Sequence, residues 1–289
     1  MSDAIVPDAR FAADWLALRE PADHAARSSG LSEAAAARLA AAPDDTLRIV
    51  DLGCGSGSNL RHLAPRLPGP QHWHLVDHDA DLLARAAREC ADQRDRSGRP
   101  VTITTIAADL DHDPGALIAE AHLVTAAALL DLVDADWLDR LATACAAHVV
   151  PALIALSVDG DLAFETDGAP EDDEDDAFVF ARLAEHQRRD KGFGAALGTQ
   201  APAAFERAFQ RHGWHVAPAA TPWRLGRDDA RLAAALIDGW REAATAQAPA
   251  RAARIAGWAR RRAADVAAGR ACCRVGHRDL LATPPRAEP

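Results

Sequence analysis

The chain has 289 residues, 49% of them hydrophobic, enough for a full-sized core in one large domain with insertions. Its 43 acidic against 32 basic residues leave a formal net charge of -11, which repels a phosphate backbone over most of the surface and argues against a nucleic acid partner. The apolar runs at 123–130 and 152–158 are too short to cross a bilayer, which takes about 20 residues, and the first residues show no basic start followed by an apolar stretch; the expectation is a cytoplasmic protein with no membrane partner.

Residues 1–46 are expected to form a helical cap, with Phe11, Trp15 and Leu18 at helical spacing and an alanine-rich stretch that ends before Pro43. The core follows over 47–158. Apolar, β-branched runs at 47–52, 72–77, 101–106, 122–127 and 152–158 alternate with amphipathic runs, the signature of a parallel sheet covered on both faces. Leu82, Leu83, Ala86 and Cys90 mark one covering helix, and Trp137, Leu138, Leu141 and Cys145 another, each preceded by an aspartate able to cap it.

Residues 159–201 read as an insertion or lid. The polar stretch 165–176, which contains EDDEDD, is expected to be a solvated loop, and the glycines Gly192 and Gly194 suggest a hinge in the segment 182–198. Residues 202–289 hold a helix over 202–212 ended by Gly213, then a sixth strand near 214–216 or 221–225. Two helices at 228–247 and 251–268 and a last strand at 272–281 complete the chain. The arginines between 251 and 270 are expected on a solvated helix face. The predicted fold is one α/β domain: a seven-stranded, mostly parallel, doubly wound sheet with N-terminal helices and helical insertions after strand 5 and before the last strand.

Chemistry concentrates at the strand ends. The first strand runs into DLGCGSG, where Gly53, Gly55 and Gly57 supply a tight turn that lets a ligand touch backbone, and the next helix opens with free N–H groups. The spacing is GxGxG: a dinucleotide fingerprint would need glycine where Ser58 stands, and no GKS or GKT follows for a phosphate loop. The second strand ends at Asp77, followed by His78, and the third runs into Asp109 and Leu110. A carboxylate at the second strand's end can accept both hydroxyls of a ribose held over the turn.

On these residues the stretch 47–158 resembles the class I, Rossmann-like S-adenosylmethionine-dependent methyltransferases. DLGCGSG is similar to the family's first motif, VDHDADLL to its acidic second motif and AADL to its adenine-side motif. The resemblance implies S-adenosyl-L-methionine as cofactor, with Asp51, Gly53, Gly55, Gly57 and Asn59 around the methionyl and ribose part. It places Asp77 and His78 at the ribose and Asp109 with Leu110 at the adenine; Asp51 would help fix the methionine ammonium.

The family's NPPY or DPPY tetrapeptide is missing, which weakens a nucleic acid substrate further. A small-molecule acceptor is expected, methylated on nitrogen or oxygen, and a homodimer is left open. Asp131 after the fourth strand, His24 in the N-terminal cap and His186 in the lid are the candidate catalytic bases. Two other readings stand beside this one: a non-methylating use of the cofactor, such as cyclisation or aminopropyl transfer, and a catalytically silent cofactor-binding subunit. No metal is expected, since no HExxH or CxxC occurs, and five cysteines suggest buried thiols.

Overall fold

Two helices, Ala13–Ala26 (α1) and Ser29–Leu39 (α2), precede the first strand in this computed structural model, which describes residues 13–41, 46–110, 114–187 and 196–285. The core then alternates: Leu47–Leu52 (β1), Ser58–Leu63 (α3), Gln71–Asp77 (β2), Ala80–Glu89 (α4), Thr102–Ala107 (β3), Gly115–Ile118 (α5), Leu123–Ala127 (β4), Ala135–His148 (α6) and Ala152–Thr166 (β5). A short strand Ala169–Pro170 (β6) and the helices Glu174–Gln187 (α7) and Ala201–Gln210 (α8) follow. The chain closes with His215–Ala220 (β7), Trp223–Leu225 (β8), Ala230–Gln247 (α9), Ala252–Ala267 (α10) and Cys272–Thr283 (β9).

The main sheet path is β3-β2-β1-β4-β5-β9-β7. The first five strands pair in parallel, and β9 runs antiparallel between β5 and β7. The expected doubly wound sheet is therefore present, with one addition: β6 and β8 pair onto β5 and β9 and bring the sheet to nine strands. Both predicted positions for a sixth strand are strands. The fifth continues to Thr166 instead of ending at Val158, so the start set for the insertion falls inside it.

Burial on both faces explains the apolar runs. Ile49 and Val50, neighbours on β1, are both buried and belong to different clusters, Ile49 with Leu60, Leu63 and Trp73 and Val50 with Leu138, Leu141 and Phe205. Asp79 and Asp134 cap α4 and α6, each side chain accepting first-turn amides. A third cluster around Phe164, Trp223 and Trp258 lies under α7, α9 and α10.

The acidic stretch corrects the sequence reading. Asp173 caps the start of α7, its Oδ1 accepting the amides of Asp175 at 2.8 Å and Asp176 at 3.1 Å. Asp176 is buried and accepts Trp258 Nε1–H at 2.6 Å and Arg262 Nε–H at 2.9 Å. Arg262, only 2% exposed, also donates to Glu171 at 2.6 Å, and Arg254 and Arg261 meet Asp175 and Asp173. The solvated loop and the solvated arginine face are thus one docked interface. Each run looks like a solvated face because its partner lies some 80 residues away in sequence.

Candidate functional site

The turn after β1 makes the floor of a cavity at the carboxyl ends of the parallel strands. Gly53, Gly55 and Gly57 all take positive φ, at 64°, 52° and 84°, which favours glycine. Gly57 is also closed by packing: a Cβ there would stand 2.6 Å from the Cys90 sulfur and 3.3 Å from Ala86 Cβ on α4. The third glycine therefore faces away from the cavity and lets α4 approach the turn.

Asp77 at the end of β2 braces that turn. Its Oδ2 accepts the Gly55 amide at 2.8 Å and its Oδ1 the Asp79 amide at 2.9 Å. Each oxygen keeps a further lone pair. His78 Nδ1 stands 3.4 Å from the same carboxylate. Asp109 and Leu110 lie on the same wall, and the Leu110 carbonyl accepts Trp137 Nε1–H at 2.6 Å.

A buried polar chain runs behind the turn. Asn59 Nδ2 donates to Asp51 Oδ1 at 2.7 Å and to Thr125 Oγ1 at 3.0 Å, while Asn59 Oδ1 accepts Arg27 Nη1–H at 2.8 Å. Asp51 is completely buried, and that burial raises its carboxyl to about 7 against the pull of the Asn59 bond and of Arg27. Arg27 Nε–H also reaches Asp279 Oδ2 at 3.3 Å. Among the described residues, Arg27 Nη2 and Asp51 Oδ2 are buried without a hydrogen-bond partner.

Helix α1 forms the roof. Leu16, Arg19, Asp23 and His24 line the cavity, and the Leu16 side chain stands over Gly55. The Arg61 guanidinium ties the roof to the floor, with Nε–H donating to Glu20 at 2.7 Å. His24 Nε2 lies 3.1 Å from the Ser58 carbonyl, which can only accept, so Nε2 carries the proton and Nδ1 keeps its lone pair. Burial lowers the basicity of this ring.

Of the residues singled out in the sequence, Gly53, Gly55, Asn59, Asp77, His78, Asp109, Leu110 and His24 share this cavity. Asp51 sits behind the wall and acts through Asn59. Asp131 lines a second, adjoining cavity that also touches Leu183 and Ala184 of α7 and shares Arg19, Ala128 and Leu156 with the first. The side chain of His186, together with Gly192 and Gly194, lies outside the described residues. Among those described, no cluster of metal-binding side chains occurs, and no helix is long and apolar enough to cross a membrane.

The stretch 19–27 stands out in the sequence for its polar density, but a site role is expected there of His24 alone and not of Arg19, Asp23 or Arg27. Their spacing of four puts all three on one face at α1 and its end. Arg19 grips Asp23 with Nε–H at 2.8 Å and Nη2–H at 3.1 Å, and Trp223 Nε1–H adds a bond at 3.1 Å.

Residues 49–152 match the family described as "Methyltransferase domain". No curated protein sequence matches the chain. Among solved structures, the chain is similar to the cyclopropane synthase MmaA2 from Mycobacterium tuberculosis, 13% identical, with 94% of this chain and 95% of that one covered and a TM-score of 0.50. It is also similar to a SAM-dependent methyltransferase from Geobacter sulfurreducens in complex with S-adenosyl-L-homocysteine, 15% identical, with 94% and 98% covered and a TM-score of 0.44. At 13% identity the likeness to the cyclopropane synthase is one of fold alone.

Proposed function

From the premise that residues 49–152 match a methyltransferase domain, we propose that the chain is a class I S-adenosylmethionine-dependent methyltransferase that transfers a methyl group to a nitrogen or oxygen of a small-molecule acceptor. The observation that carries this reading is the Arg27 guanidinium, buried in the cavity wall with Nη2 unpartnered. A buried cationic donor without an acceptor is costly, and a ligand carboxylate offsets that cost. The cofactor's methionyl end has such a carboxylate. On this reading Asp77, already fixed by two backbone amides, holds the ribose, and Asp109 with Leu110 lies beside the adenine.

When bound, the sulfonium supplies a methyl group to a nucleophile. The chain's own part is to seat the cofactor, keep water out under α1 and receive the proton the nucleophile gives up. His24, with Nδ1 available, serves the first cavity, and Asp131 serves the second. The adjoining cavity, walled by side chains from α1, α7 and α9, supports a small molecule over a polymer.

The test is calorimetry followed by product analysis. The chain should bind S-adenosylhomocysteine and not NADH, and turnover should release S-adenosylhomocysteine. Release of methylthioadenosine would replace methyl transfer with aminopropyl transfer or cyclisation, and binding of NADH alone would remove the reading entirely.

A further inference from the structure

The second cavity measures about 450 Å3, a size suited to a compact organic molecule. Trp15, Phe180, Trp223 and Trp240 bring four aromatic rings from α1, α7, β8 and α9 around one space. Phe180 and Trp240 meet edge to face, with centroids 5.7 Å apart. Rings set at such angles favour a flat aromatic occupant, which can meet one wall with its face and another with its edge.

The charges in these walls are committed within the chain. Arg19 stands 5.0 Å above the Trp223 ring and is held by Asp23 through the paired bonds described above. Asp159 accepts the Asp161 amide at 3.1 Å and meets Arg278 at 3.3 Å, and Asp131 has a partner of its own. A charged ligand would therefore give up its water without gaining an uncommitted counter-charge among the described residues.

One polar group in the wall is still open. His277, 3% exposed, lies against Trp223 with ring centroids 5.0 Å apart. Its Nδ1 is 3.0 Å from the Val275 carbonyl, which can only accept, so Nδ1 carries the proton and Nε2 keeps its lone pair. Burial, aided by the nearby charge of Arg19, holds the ring neutral down to about 4. Among the described residues Nε2 has no hydrogen-bond partner. It is a buried acceptor that a donor group in the cavity would satisfy.

We propose that the second cavity binds an uncharged phenol, its ring among the tryptophans and its hydroxyl donating to His277 Nε2. The proposal deepens the methyltransferase reading and rests on it, because the cavity shares Arg19, Ala128 and Leu156 with the cofactor cavity. His277 acts here as the residue that selects and orients the ligand. A carboxylate sets its lone pairs against that of Nε2, and an ammonium group can donate but stands near the Arg19 cation. A methyl ether fills the space and has no hydrogen to give. A phenol has the flat body, the donor and no charge to desolvate.

The test uses the full chain saturated with S-adenosylhomocysteine. Calorimetry compares three skeletons, 4-ethylphenyl, 2-naphthyl and 4-biphenyl, each as the phenol, its methyl ether, the ring carboxylate and the aminomethyl compound. The phenol of at least one skeleton should bind about fivefold or more tightly than its ether, the range of one net hydrogen bond, and neither charged form should match it. His277→Leu should remove most of the phenol's advantage over the ether, and His277→Gln, which keeps an acceptor oxygen, should retain more of it. Trp240→Ala should weaken phenol and ether together.

Retained S-adenosylhomocysteine affinity shows that each variant is folded. Nitrogen NMR of the unaltered chain with labelled histidines reads the same bond without a substitution: the phenol should move the Nε2 signal of a neutral histidine, and the ether should not. Ethers or charged forms binding as tightly as phenols, no binding by any phenol, or a phenol preference that survives His277→Leu would overturn the proposal and leave the methyltransferase reading intact. Absence of S-adenosylhomocysteine binding by the unaltered chain would remove both.

Discussion

Arg27 donates Nη1–H to Asn59 Oδ1 at 2.8 Å, and the same asparagine donates to Asp51, so a cation and a carboxylate buried on opposite sides of one amide are held in register. On the proposed reading, the unpartnered Arg27 Nη2 takes the carboxylate of the cofactor's methionyl end. Arg27→Lys should therefore weaken S-adenosylhomocysteine by about 10- to 150-fold, the equivalent of about 1.5–3 kcal/mol for a hydrogen bond to a charged group. Methylthioadenosine lacks the amino acid end, and its affinity should change little. Calorimetry with both ligands checks the pair: equal losses for the two would show that Arg27 supports the cavity only as a structural strut.

Asp77 holds the glycine turn and, on the proposed reading, the ribose. Asp77→Asn keeps an oxygen for the Gly55 amide but turns one acceptor into a donor facing the Asp79 amide or the ribose. It should cost S-adenosylhomocysteine about tenfold or more in affinity, again the range of one charge-assisted hydrogen bond of about 1.5 kcal/mol. Adenine alone should bind as to the unaltered chain. An unchanged dissociation constant for S-adenosylhomocysteine would place the ribose elsewhere.

The pairing of Arg262 with Asp176 predicts a stability effect without a cofactor effect. Asp176→Ala leaves a guanidinium 2% exposed with Glu171, Asp173 and Asp265 still near it but without its two bonds to the Asp176 carboxylate, and breaking a buried pair from one side costs about 3–5 kcal/mol. Arg254→Ala, at an exposed pair, should cost no more than about 1 kcal/mol. Denaturant unfolding measures both, and equal effects would show that the interface is not anchored at Arg262. Affinity for S-adenosylhomocysteine should hold in each variant, since none of these residues lines the first cavity.

What the sequence made legible follows the range of the forces involved. The alternation of strands and helices and the glycine turn were readable because period, capping aspartates and positive-φ glycines act within a few residues, and Asp79 and Asp134 cap as their positions suggest. Arg262 was not readable as buried, because nothing within its own helix reveals Asp176 and Glu171, which arrive from β5–α7 and neutralise it. The same holds at the site. Asp77 and Gly55 announce themselves at a strand end, whereas Arg27 matters only because the fold sets the end of α1 against Asn59 and Asp279. The antiparallel return of β9, which supplies Asp279, is a pairing of residues far apart in sequence.

Asp51 sets a pH dependence whose sign can be worked out. Burial raises its carboxyl from the ordinary value of 3.8 to about 7, the Asn59 bond and Arg27 opposing the shift only in part. A group that binds its proton more tightly folded than unfolded stabilises the fold fully below the unfolded value. That contribution is lost as pH rises from about 4 through about 7. His277 works the other way: burial lowers its ring from 6.5 to about 4, so its contribution is present above 6.5 and lost as pH falls through about 4. The two effects overlap between pH 4 and 7, and total stability alone would not separate them. Asp51→Asn does, because the amide keeps an oxygen for Asn59 Nδ2–H, resembles the protonated carboxyl in shape and does not titrate. The ligand-free chain should lose stability relative to Asp51→Asn as pH rises from 5 to 8, most steeply near 5 to 6 and levelling off above the folded value of about 7. Denaturant unfolding of the two chains side by side at each pH measures the gap, in which the His277 contribution cancels. Parallel curves across that range would mean that Asp51 stays ionised in the folded chain, held by Arg27 more strongly than burial opposes it.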